Sequence, residues 1–151
     1  MLTVKKYLKD MFTAITALGS AYFYSALVIF LLLIGMRNIA IQIIIGLLLS
    51  YFFVILLRIF YFKERPEKEE YFNFFTKINA SSFPSLHTLT SVYIATVLSR
   101  NLLILSVTIF LYILSLLIAY SRIYLKKHYY SDVLMGLFIG MIASLVYLYL
   151  I

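Results

Sequence analysis

The chain has 151 residues, 64% of them hydrophobic and only 13% charged, with a mean hydropathy of +1.02 and a formal charge of +7. Soluble domains are about half apolar and about a quarter charged, so this composition excludes a water-solvated globule. The absence of cysteine excludes a disulfide framework, a thiol nucleophile and a cysteine metal site. The length suits a single domain over residues 1–151. Its apolar runs are long and continuous, without strand-like alternation. They specify an all-α integral membrane protein, a bundle of about five transmembrane helices, and not a closed barrel. The basic residues flank the spans and form no soluble patch. They suit membrane edges and anionic head groups, not nucleic acid.

In residues 2–18, Val4, Leu8, Met11, Ile15 and Leu18 recur at helical spacing, with Lys5, Lys6, Lys9 and Asp10 between them. This pattern predicts an amphipathic helix lying in the interface, retained and not cleaved as a signal, with a break at Gly19-Ser20. Spans follow at about 21–36, 39–62, 86–100, 102–120 and 132–151, with tight turns at Arg37-Asn38 and Arg100-Asn101. The long connection, 63–84, carries Glu64, Glu67, Glu69 and Glu70, a solvated acidic run. Its aromatics Tyr71, Phe72, Phe74 and Phe75 are expected to dip into the interface. At about 1.5 Å per residue, the segment 86–100 is too short for a hydrocarbon core of roughly 30 Å, so its N-terminal end should be recessed or the bilayer thinned. Gly136, Gly140 and Ser144 recur every four residues and would let a neighbouring helix of the same chain approach closely.

Five alternating spans bring four helix ends to one side. Arg58 and Arg65, Ser85 and His87, Arg122, and His128 with Asp132 should therefore meet at one mouth, together with both prolines of the chain. Ionisable groups at such a place are a functional site by default. Guanidinium forks match phosphate oxygens. A helix starting near Pro84-Ser85, with Ser82 as cap and Pro84 in its first turn, would add backbone donors for an anion. If Asp132 starts a helix that includes His128, the two lie one turn apart, and the carboxylate fixes the imidazole tautomer. His128 would then serve as base or nucleophile, and His87 could protonate a leaving oxygen. Of the six acids only Asp132 is in a constrained position, so no metal centre or other cofactor is expected.

The residues resemble the type 2 phosphatidic acid phosphatase superfamily, which carries the blocks Lys-x6-Arg-Pro, Pro-Ser-Gly-His and Ser-Arg-x5-His-x3-Asp. Here they read Arg58-x6-Arg65-Pro66, Pro84-Ser85-Leu86-His87, and Ser121-Arg122 with His128 and Asp132. The resemblance implies a membrane lipid phosphatase that needs no metal. In it His128 forms a phosphohistidine, Asp132 orients His128, and His87 is the general acid. Arg58, Arg65, Ser85, the Leu86 backbone and Arg122 hold the phosphate. Two departures stand out: Arg58 replaces lysine, and Leu86 replaces glycine where backbone approaches phosphate. Implied substrates are polyprenyl diphosphate, phosphatidic acid, phosphatidylglycerol phosphate and lipid A 1-phosphate. A lipid phosphotransferase using the same phosphoenzyme, or a non-catalytic lipid-binding protein, would be the alternatives. Eleven of the thirteen Lys and Arg lie on the mouth side, which by the positive-inside rule points it to the cytoplasm. The resemblance implies the extracytoplasmic face, and surplus basic residues are also what an anionic substrate would select.

Overall fold

A computed structural model describes residues 2–150, and it is all-helical. The helices are α1 (Leu2–Ala17), α2 (Ala21–Leu33), α3 (Arg37–Phe60), α4 (Phe74–Ala80), α5 (Leu86–Leu102), α6 (Leu105–Tyr124) and α7 (Tyr130–Leu150). By length and composition α3, α6 and α7 each suffice to cross a membrane, and α1 with α2 would form one span broken by a 47° bend. The outer surface is apolar: Leu48, Leu49, Phe52, Ile113, Leu116, Phe138 and Leu145 are all exposed. Side chains of this kind face lipid tails, as expected for a protein embedded in the bilayer.

The element ends follow local chemistry more closely than the apolar runs do. Helix α2 closes on Gly35, whose φ of +82° suits a residue without Cβ. The Gly35 N–H donates to Leu32 O and the Met36 N–H to Leu31 O, the paired pattern of a glycine-terminated helix. The turn therefore falls at Ile34–Met36, and Arg37-Asn38, expected as the turn, instead begins α3. Likewise α5 runs through Arg100-Asn101 and ends at Leu103, which takes a left-handed conformation. Asn101 stays in the helix because its amide has partners there: Val97 O, Gln42 Oε1 and the Tyr147 hydroxyl. Within the long connection α4 is a short helix started by Asn73, which exchanges capping hydrogen bonds with Thr76.

Helix α5 occupies the centre, packed against α3, α6 and α7. Ten consecutive residues, Thr88–Val97, are buried, so it is the one long helix shielded on all sides. That position accounts for its 17 residues and its polar content, since it meets protein and not lipid. Three of its hydroxyls are satisfied in place: Thr90 bonds Leu86 O, Ser91 bonds Thr88 O, and Thr96 bonds both Val92 O and Ser144 Oγ. The apolar core, with Tyr24, Val28, Ile39, Ile43, Ile94 and Val97, lies away from the histidine mouth.

The small residues of α7 face α5 as the spacing predicts. A Cβ on Gly136 would come within 2.6 Å of Ser85 O, and one on Gly140 within 2.9 Å of Leu89 O. Both neighbours are backbone, so neither can yield without moving a helix. Gly136→Ala should cost about 1–3 kcal/mol as overpacking, read as a lower melting temperature in detergent. Because Gly136 abuts Ser85, it should also reduce activity by more than Gly140→Ala does.

Candidate active site

The four helix ends meet as the topology requires. Between α4 and α5 the chain is non-helical from Ser81 to Ser85, and Ser81, Ser82 and Ser85 are fully buried. Buried backbone must be paired, and the pairing assembles the site. Arg58, at the end of α3, donates from Nε to Phe83 O (3.3 Å), from Nη1 to Ile78 O (3.4 Å) and from Nη2 to Pro84 O (3.1 Å). The Ser82 N–H donates to Lys63 O, and the Ser85 N–H donates to Asp132 O at the start of α7. Ser82 Oγ donates to Glu64 O. Ser85 is the residue that precedes α5, so the expectation of Ser82 as cap and Pro84 in the first turn is corrected by one to three residues. The Ser85 hydroxyl bonds Thr88 and makes no cap bond, which leaves first-turn N–H groups, Leu86 among them, without a side-chain partner.

His128 lies in the loop between α6 and α7, just outside α7, and is buried at 3% exposure. Its Nδ1 is 2.6 Å from Ser82 O and 4.0 Å from Asp132 Oδ2. A carbonyl only accepts, so Nδ1 carries the proton and Nε2 keeps its lone pair. This corrects the expectation that Asp132 fixes the tautomer. The two residues do not share a helix, and the carbonyl of Ser82 is the nearer partner. Asp132, fully buried, is used otherwise: Oδ2 accepts from Tyr129 N–H (2.9 Å) and Oδ1 pairs with Lys63 Nζ (2.5 Å). Its carboxylate thus shapes the loop that carries His128 and lies behind the ring as a negative charge.

Lys63 was not anticipated as part of this group. It also bonds Ser131 and lies 4.7 Å from the centre of the Tyr129 ring. Its only signal in the sequence is its place next to the Arg65-Pro66 block.

Arg65 pairs with Glu69 through Nη1 and donates from Nη2 to Asn79 O (2.8 Å). Arg122, in the last turn of α6 and 8% exposed, donates from Nη1 to Thr16 Oγ1 (2.8 Å). Among the described residues, the Nε of Arg65 and the Nε of Arg122 are buried without a partner. A buried unpaired donor on a charged group costs several-fold more than an ordinary hydrogen bond returns, so two in one cluster call for an anionic acceptor. Arg58, Arg65 and Arg122 act on both His128 and His87, which lies in the first turn of α5. Burial, then the charges of Arg122 and Arg65, push the His128 pKa from 6.5 down to about 2, against the pull of the Ser82 carbonyl. His128 is therefore a neutral imidazole with a free Nε2 at any physiological pH. Among the described residues no group of three or more His, Asp or Glu is arranged to hold a metal ion.

A membrane-embedded cluster of arginines around a neutral, oriented histidine defines a phosphoryl-handling membrane enzyme. Residues 43–151 match the PAP2 superfamily, and the chain belongs to it. It is thus an integral membrane phosphatase acting on phosphoric esters. In fold it is similar to LpxE of Aquifex aeolicus, with 32% identity, a TM-score of 0.77, and 94% of this chain and 86% of that one covered. It is also similar to the transmembrane PAP2-type phosphatidylglycerolphosphate phosphatase of Bacillus subtilis, with 23% identity, a TM-score of 0.74, and 93% and 74% covered. No curated protein sequence matches the chain.

The depressed pKa has a consequence for stability. An unfolded histidine takes up a proton near pH 6.5, while folded His128 resists until about 2. Between these values the unfolded state binds more protons, so stability falls as pH is lowered. Melting temperature in detergent should drop between pH 7 and pH 4, and His128→Gln should flatten part of that slope.

Proposed function

We propose that this phosphatase hydrolyses the phosphate or diphosphate head group of a membrane lipid through a phosphohistidine at His128. The observation that carries the reading is the pair of unpartnered buried Nε–H donors on Arg65 and Arg122 beside the free Nε2 of His128. In the first step the Nε2 lone pair attacks the terminal phosphorus, and the bond from that phosphorus to the leaving oxygen breaks, the lipid oxygen of a monophosphate or the bridging oxygen of a diphosphate. His87 gives its proton to that oxygen, and the lipid leaves. In the second step water loses a proton to His87 and attacks phosphorus. The P–N bond breaks, inorganic phosphate departs, and both histidines return to their starting states.

Arg65 and Arg122 hold the equatorial oxygens, with the Leu86 N–H and Ser85 at the start of α5 as further donors. Arg58 contributes charge, while its three nitrogens brace the segment before α5. The guanidiniums supply the fixed positive charge a transferring phosphoryl group needs. Bound phosphate brings the negative charge that a protonated His87 pairs with. The imidazolium formed at His128 is offset by the Ser82 carbonyl and by Asp132 behind it.

The substrate belongs to the class that includes polyprenyl diphosphate, phosphatidic acid, phosphatidylglycerol phosphate and lipid A 1-phosphate. Phosphate release from a panel of these lipids in detergent is the direct assay, beginning with the substrate of LpxE. His128→Ala should lose at least about 10³-fold in kcat while its melting profile shows a folded protein. Acid-labile, base-stable radiolabel from a head-group-labelled lipid should be trapped on the parent protein and not on His128→Ala. Full turnover by His128→Ala would sink the mechanism.

The site is proposed to face the extracytoplasmic side. Because the chain lacks cysteine, Lys68→Cys gives a single label on the long loop. The Lys68 side chain is 82% exposed, so a thiol there is open to solvent. A membrane-impermeant maleimide should react with Lys68→Cys in intact cells. Reaction only after lysis would place the site inside.

A further inference from the structure

The family match begins at residue 43, yet the segment before it reaches the site. One face of α1 and its junction with α2 is set against α6. Phe12 packs on Tyr120 and Tyr124, with ring centres 5.5 and 4.4 Å apart. Gly19 is buried where a Cβ would lie 2.6 Å from Ile118 Cγ2 and 3.3 Å from His87 Cδ2. Between them Thr16 Oγ1 accepts from Arg122 Nη1 at 2.8 Å. Phe12, Thr16 and Gly19 recur at helical spacing, while Tyr7 is exposed on the far side of α1. Among the described residues the Arg122 guanidinium has no other hydrogen-bond partner, and its Nε–H is left buried and open.

We infer that Thr16 is a positioning residue of the phosphatase: its hydroxyl anchors one arm of Arg122, so that the open Nε–H is presented to the phosphate. An arginine side chain carries many rotamers, and fixing one nitrogen sets the plane of the whole fork. Gly19 serves the same joint, because only a residue without Cβ lets the α1–α2 junction approach Ile118 and His87 closely enough for Thr16 to reach Arg122. The inference rests on the reading of Arg122 as a phosphate ligand.

Three variants test it in one detergent assay of lipid phosphate release, with inorganic phosphate as competitive inhibitor. Thr16→Val keeps shape and helix preference and removes only the hydroxyl. It should lower kcat/KM about tenfold or more and weaken inhibition by inorganic phosphate in step, with melting temperature held. Thr16→Ser restores the hydroxyl and should recover both quantities to within about threefold of the parent. Parent-like Thr16→Val overturns the inference. So does equal loss in Thr16→Val and Thr16→Ser, or a loss of rate with inorganic phosphate inhibition unchanged, since packing alone would produce those results. His128→Ala is measured alongside: if it stays active, the phosphohistidine reading fails, and if it is dead while Thr16→Val is parent-like, only the role of Thr16 fails.

Discussion

The structure depends on satisfying a buried stretch of irregular backbone, Ser81 to Ser85, at the edge of the bilayer. Non-helical chain is tolerated there only when protein groups replace water. The replacements come from every side: Arg58 from α3, Lys63 and Glu64 from the connection, His128 from the α6–α7 loop, and Asp132 from α7. Two of the residues proposed for chemistry, Arg58 and His128, thus also let this segment exist through their side chains. Removing either side chain leaves a main-chain carbonyl unpaired as well as deleting a functional group. Folding and activity are therefore coupled at the mouth more tightly than elsewhere in the bundle.

Charge is arranged to be incomplete. Arg58, Arg65 and Arg122 share the site with Glu69 and Asp132, and each carboxylate already has another cation: Lys127 for Glu69 and Lys63 for Asp132. Net positive charge is left over where two guanidinium nitrogens lack partners. Burial, and then this surplus, keep His128 neutral, and the surplus is what an incoming phosphate would neutralise. Substrate binding and the readiness of the imidazole thus draw on the same field.

The sequence carried the spacing of the three blocks, the helical class and the convergence of four helix ends, because residue identity and hydrophobic runs set all of these. The small-residue seam of α7 was legible for the same reason. Helix ends were less so. Ser121 and Arg122 fall inside α6, since polar residues at a span end are counted as loop by hydropathy yet can remain helical when buried, whereas His128 lies outside α7. Gly35 was a readable stop signal that the polar Arg37-Asn38 pair overshadowed. The tautomer of His128 was out of reach in principle, because its partner is a main-chain carbonyl that any residue at 82 would supply. Lys63 and Thr16 were missed for a related reason: a lysine near a basic block and a threonine on an amphipathic helix have no pattern that marks a long-range partner.

The seam of Gly136 and Gly140 against α5 has a mechanical meaning. It presses backbone on backbone at two points one helical turn apart, so α7 cannot slide or rotate along α5 without a collision. A slip of one residue would shift the helix by about 1.5 Å, and displacement of about 1 Å can cost two orders of magnitude in rate. The seam acts as a ruler: it sets how far the imidazole stands from the start of α5, and so the distance over which a phosphorus–nitrogen bond would have to form.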